Sequence, residues 1–207
     1  MSELLDAIKD VLWGELENKF HTCLPAIVNS YDPTGPKVEV QPLLRKAYNN
    51  GKEISFKPII EVPVIFPRTK RCRFTFPLER GDTVLLLFSE RSIETWLAGD
   101  GSEVTPLDGK KFSLTDAIAI PGLFAFGQGS PIEDGNKLEI VFDNAKFISD
   151  GEGFEITGNL KVNGKVEATE NIESDAEVKA GSIELSAHKH SLDIPSTPYK
   201  NYTGDPV

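Results

Sequence analysis

Few residue types in this chain are equipped for chemistry, and among its three histidines two stand close together. His188 and His190 occupy the stretch Ala187, His188, Lys189, His190, Ser191. In an extended strand, residues two apart project to the same side, so the pair offers two imidazoles to one point. In one chain that is half a metal site. Around a threefold axis it becomes six nitrogens, enough for an octahedral ion, and imidazole suits iron, nickel or zinc. Six neutral ligands fit divalent iron well, whereas zinc more often takes four. His188 and His190 are therefore the candidate metal ligands, with one iron ion per three chains as the expected cofactor and zinc or nickel as alternatives.

The other reactive residues form no such constellation. Cys23 and Cys72 are the only cysteines, too few and too far apart for a disulfide framework or a four-cysteine metal site, and assembly in a reducing cytosol is expected. The chain has no G-x-S-x-G, no glycine-rich phosphate loop and no H-E-x-x-H. With only His21 outside the tail, a Ser/His/Asp arrangement has almost no candidates. No catalytic or cofactor-binding residue is assigned, and no enzymatic activity is expected. Arg68, Lys70, Arg71 and Arg73 make a basic cluster followed by Phe74 and Phe76. It suits phosphate contact combined with base stacking, and equally the pairing of a loop with acids of a neighbouring subunit.

The elements that must position the histidine pair are written in an alternation. Ten of the fourteen even positions from 154 to 180 are apolar, and none of the thirteen odd positions from 155 to 179 is. A period of two held this long means extended chain with one face buried and the other wet. The inward residues shrink toward alanine and no second apolar sheet remains in the chain to cover them. Three copies winding about a common axis would bury the even face of each in a thin core and close the sheet edges. The alternative is an antiparallel meander laid on the preceding domain. Near Gly181 the phase slips, implying a bulge or bend. After the slip, His188 and His190 share the phase of outward Glu184 and Ser186, so a metal site requires a second bend after Ala187.

Ahead of the alternation, Leu4, Leu5, Ile8, Val11, Leu12 and Leu16 recur at helical spacing and predict one amphipathic helix. It packs within its own domain or between subunits. From 22 to about 126 come five short β-rich runs: PAIVNSYD, KVEVQPLL, IIEVPVIFP, TVLLLFS and DAIAIPGLFAF. Turn residues separate them, and a five-stranded Greek-key barrel of the OB type is the economical expectation. The unbroken apolar run TVLLLFS predicts a strand buried on both faces. Residues 1–132 carry 17 acids and 15 bases, but residues 133–207 carry 15 and 7, so most of the net charge of −10 lies in the tail. Such an anionic surface disfavours wholesale nucleic-acid binding. Neither a membrane-spanning run nor a secretory signal is read from the sequence.

Four stretches, taken in order and spacing, resemble a known family: residues 23–44 (CLPAIVNSYDPTGPKVEVQPLL), 79–97 (ERGDTVLLLFSERSIETWL), 112–123 (FSLTDAIAIPGL) and 187–191 (AHKHS). They are similar to the central spike proteins of contractile-tailed bacteriophage baseplates, the membrane-puncturing, baseplate assembly protein V-like branch. The resemblance implies a mainly β protein with an N-terminal helix (1–20), an OB-fold β-barrel domain (21–130), an intertwined triple-stranded β-helix shaft (131–187) and a metal-binding tip with C-terminal tail (188–207). It further implies a homotrimer at the virion tail tip, assembled in the host cytoplasm. Such a trimer docks to the baseplate hub protein and pierces the host outer membrane, with iron held at the apex by His188 and His190 of each chain. Neither nucleic acid nor a small-molecule substrate is expected as a partner. The chain departs from the pattern in continuing for 17 residues past His190. The alternatives are an OB-fold binding module for oligonucleotide or glycan, and a cell-wall-degrading tail component.

Overall fold

A computed structural model describes residues 20–48 and 51–186, together with Ile8, Lys9, Val11, Leu12 and Gly14; side chains of Ala180 and Ile183 are not included. The chain divides into two compact units, residues 1–133 and 134–207. It is mainly β with little helix.

The first unit contains β1 (Cys23–Asp32), β2 (Lys37–Pro42), β3 (Arg45–Ala47), β4 (Glu53–Ser55), β5 (Ile59–Pro63), β6 (Thr83–Phe88) and β7 (Ala117–Pro121). The five β-rich runs supply the strands of one sheet in the order β5-β2-β1-β6-β7, all neighbours antiparallel, while β3 and β4 pair as a separate hairpin. Each main strand alternates: in β2, Val38, Val40 and Pro42 are buried between half-buried Lys37, Glu39 and Gln41. The inward side chains of all five strands form one core, in which Leu86 and Phe88 of β6 lie opposite Ala119 and Ala117 of β7. Small residues facing large ones let that pair approach closely.

Two bulges curl the sheet into a half-barrel. Val28 and Ser30 of β1 face consecutive residues Val40 and Glu39 of β2, so Asn29 is the extra residue. Its amide donates to Glu39 Oε1 at 3.2 Å. The slip moves the inward phase from Val28 to Tyr31, which packs on the core opposite Val38. On β5 an extra residue falls between Ile59 and Val62, and Glu61 there takes a positive φ of 57°. Bulges bend a strand and raise its twist. The curl brings the sheet's outer strands together at one parallel bridge, Val64 with Ala119, where the Ile65 N–H donates to the Ala119 carbonyl at 2.9 Å.

One expectation is corrected. The run TVLLLFS is buried on one face only: Val84, Leu86 and Phe88 are inside, but Leu85 is half-buried and Leu87 exposed. Its unbroken apolarity therefore does not mark a strand covered on both sides within the chain. Ahead of the sheet the described residues 8, 9, 11, 12 and 14 are helical, and Ile8, Val11 and Leu12 are exposed.

In the second unit, β8 (Leu138–Phe142), β9 (Ala145–Ser149) and β10 (Phe154–Thr157) form an antiparallel meander. Asp143, at φ 50°, and Asn144 make the two-residue turn between β8 and β9, a left-handed geometry that Asp and Asn tolerate. The hairpin LEIVF-DN-AKFIS is legible from that signal. Strands β11 (Lys179–Ala180) and β12 (Ile183–Glu184) pair across Gly181–Ser182, with Gly181 at φ 66°. The phase slip near Gly181 is thus a chain reversal. Residues 158–178 contain no strand in the single chain, and the expected triple-stranded β-helix is not shown by one chain.

Leu86 is fully buried at the centre of the first unit's core. Leu86→Ala is expected to lower unfolding stability by about 2–5 kcal/mol, read as a drop in the urea midpoint with little change in slope.

Candidate functional site

The candidate ligands His188 and His190 lie outside the described residues. Among the described residues no group of three or more His, Cys, Asp or Glu side chains is placed to hold a metal. Cys23 and Cys72 are both exposed free thiols. The third histidine is structural: His21 sits against the rings of Phe56 and Phe88, with centroids 5.9 and 5.6 Å away, and its backbone N–H donates to the Phe112 carbonyl at 3.0 Å. Burial, reinforced by the charge of Lys46, pushes the imidazole pKa below its ordinary 6.5.

Two surfaces stand out, one in each unit. In the second, the register aligns apolar residues across the meander. Leu138, Ile140 and Phe142 lie opposite Ser149, Phe147 and Ala145, and Phe154 and Ile156 lie opposite Ser149 and Phe147. Directly opposed residues share a face. That face is therefore apolar apart from Ser149, while the other is mixed, with Glu139, Lys146, Glu155 and Thr157 beside Val141 and Ile148. Phe147 and Phe154 stack at 5.0 Å. Among the described residues nothing else covers the face: Phe142 is 60% exposed and Phe154 69%. The even-numbered pattern continues uncovered, with Leu160, Val166 and Ile172 at 68, 68 and 73%. Fully burying such a side chain is worth about 1.5–3 kcal/mol, so this is a long uncovered apolar surface of the kind that marks an interface.

In the first unit a groove of about 1000 Å³ runs beside β5. One wall is the bulged segment Pro58 to Pro63; the other is the one-turn helix α1 (Glu94–Leu97) and the 3₁₀ turn Leu114–Asp116 that leads into β7. Lys37 Nζ holds Glu61 Oε1 at 2.8 Å on the bulge. Asp116 is the one buried charged residue among those described. Its Oδ1 accepts from the Ile93 N–H at 3.0 Å, fixing the start of α1, and its backbone carbonyl accepts from Ser89 at 3.0 Å. One residue, through its carboxylate and its backbone carbonyl, thus ties the start of the long β6–β7 connection to its end. No sequence pattern points to this groove, because its lining is drawn from four segments separated along the chain.

Residues 24–122, just under half of the chain, match the family model for the phage protein Gp138 N-terminal domain. The match supports a phage structural protein. The Gp138-like region begins in β1 and ends just past β7, so it holds the whole curled sheet and the groove beside it. No curated protein matches the chain.

Two outcomes follow. Because the folded state favours neutral His21, its contribution is fully present above pH 6.5 and is lost as pH falls below that value. Urea midpoints between roughly pH 5 and 8 are expected to fall on the acid side, and less steeply in His21→Phe. Asp116→Ala leaves the Ile93 N–H without its acceptor and is expected to cost about 1–3 kcal/mol, with faster amide exchange across residues 93–98.

Proposed function

We propose that this protein is the homotrimeric tail spike of a contractile phage, which docks to the baseplate hub protein and is driven through the host outer membrane when the tail contracts. The supporting observation is the apolar face of the second unit, aligned by register across three strands, continued at even positions to residue 178 and left uncovered by the described residues. Identical copies are the economical cover, since each brings the same narrow face to a shared axis. On this reading residues 131–187 wind with two other chains into a triple-stranded β-helix. The first unit is an OB-type barrel, whose Greek-key order is supported by the sequence β5-β2-β1-β6-β7 and the parallel bridge from Val64 to Ala119. The match of residues 24–122 to a phage protein domain supports the virion setting.

The action is mechanical, and no catalytic step is assigned. His188 and His190 of three chains would hold one iron ion, whose neutral donor set suits a divalent first-row metal. Bound to the assembled trimer alone, the ion would oppose fraying at the end with least burial. A second reading, recognition of an oligonucleotide or glycan by the first unit, is favoured by the groove beside β5. Salt-dependent binding of a single-stranded oligonucleotide, or binding of a glycan lost in Lys37→Ala, would support it.

Light scattering with elemental analysis tests the main reading. Three subunits carrying about one metal are expected, and His188→Ala with His190→Ala is expected to lose the metal and keep the trimer. A mass of one subunit, with the even face covered within its own chain, would exclude the spike.

A further inference from the structure

The basic cluster is a built feature. Residues 67–74 form a hairpin in which Arg68 and Arg73 are bridged directly opposite each other, with the Thr69 N–H donating to the Cys72 carbonyl at 2.7 Å and the Phe74 N–H to the Pro67 carbonyl at 2.9 Å. Thr69 Oγ1 accepts from the N–H groups of Arg71 and Cys72, closing the tip. An aromatic stem carries it: Phe66 is buried in the core, and Phe76 meets both Phe66 at 5.1 Å and Phe74 at 5.9 Å. The arm is thus anchored at its base and ordered to its end.

Its charges break a local rule. Like charges directly opposite in an antiparallel pair destabilise it, and Lys70 and Arg71 add two more at the turn. All four cations are exposed, and none makes an ion pair, whereas Lys37, Arg45 and Lys110 of the same unit each hold a carboxylate. A sequence that retains such repulsion on a rigid arm implies an external anion that relieves it.

We propose that this hairpin is an inter-subunit clasp whose cations pair with carboxylates of a second copy of the chain. The inference rests on the trimer proposed above. Each chain has 32 acids against 22 bases, so a neighbouring copy supplies carboxylates in excess. Once the apolar face holds copies together, those carboxylates stand at high effective concentration. The same excess repels an approaching polyanion, which disfavours nucleic acid as the occupant. Arginine's planar fork suits carboxylate pairing, and Arg beside exposed Phe74 is the composition of a protein contact.

Lys70 carries the only amine of the hairpin, which makes the clasp readable by zero-length carbodiimide coupling of lysine to carboxylate. In the full-length protein, dimer and trimer bands on a denaturing gel are expected to contain Lys70 joined to Asp or Glu. Lys70→Arg, which keeps the charge and removes the amine, is expected to lose most of that banding. Coupling in 1 M salt, where screening acts within about 3 Å, is expected to lose the Lys70 product while light scattering still shows a trimer. A trimer by mass with Lys70 unlinked in every band would overturn the clasp and leave the spike reading standing. So would tight single-stranded oligonucleotide binding abolished by the combined Arg68→Ser, Lys70→Ser, Arg71→Ser and Arg73→Ser. A monomer by mass would overturn both.

Discussion

An extended strand has two faces, and an apolar one must be kept from water; how each unit meets that demand decides most of what this protein is. The first unit meets it alone. Its sheet curls until Val28, Val40, Val62, Leu86 and Ala119 face a common interior. The second unit carries an equally ordered apolar face, with Leu138, Ile140, Phe147, Phe154 and Ile156 in register, yet its described residues set no second layer against it. The contrast between a satisfied sheet and an unsatisfied one is the physical ground for reading the second unit as part of an assembly.

Curling needs local irregularity, and the first unit places it where the groove arises. Asn29 and the Glu61 bulge shorten one side of the sheet, which turns β5 toward β7 and joins them at Val64 and Ala119. Beyond that single bridge β5 and β7 form no ladder, and the groove lies beside them, walled by a helix that Asp116 holds in place. The positive φ of Glu61 is backbone strain that a non-glycine residue adopts only when its surroundings enforce it. Here the enforcing contacts are the β2 ladder and the ion pair with Lys37.

Electrostatics divide along the same line. Most excess acid lies after residue 132, while the first unit is near neutral and concentrates four cations on one hairpin. Ion pairs elsewhere, such as Arg45 with Glu53 at 3.2 Å, are exposed and contribute little to stability. The hairpin differs because Arg68 and Arg73 face one another without a counter-ion, which is the charge pattern the proposed clasp is built on.

Local periodicity settled the strands of the first sheet before any coordinates: runs such as KVEVQP announce which side chains turn inward, because burial in a strand is a property of alternate positions. The even-numbered alternation after residue 154 was equally plain, as was the demand it makes for a cover. The apolar run TVLLLFS misled, since apolarity reports that a residue tolerates burial and not that anything lies over it. The hairpin 138–149 was signalled by Asp-Asn between two apolar runs. What no sequence pattern carried was the meeting of distant segments: the Val64–Ala119 bridge, the groove, the buried Asp116 carboxylate and the facing of Arg68 against Arg73. Those depend on the angle at which strands far apart in the chain come together, which bulges and core volumes set only once the whole sheet has closed.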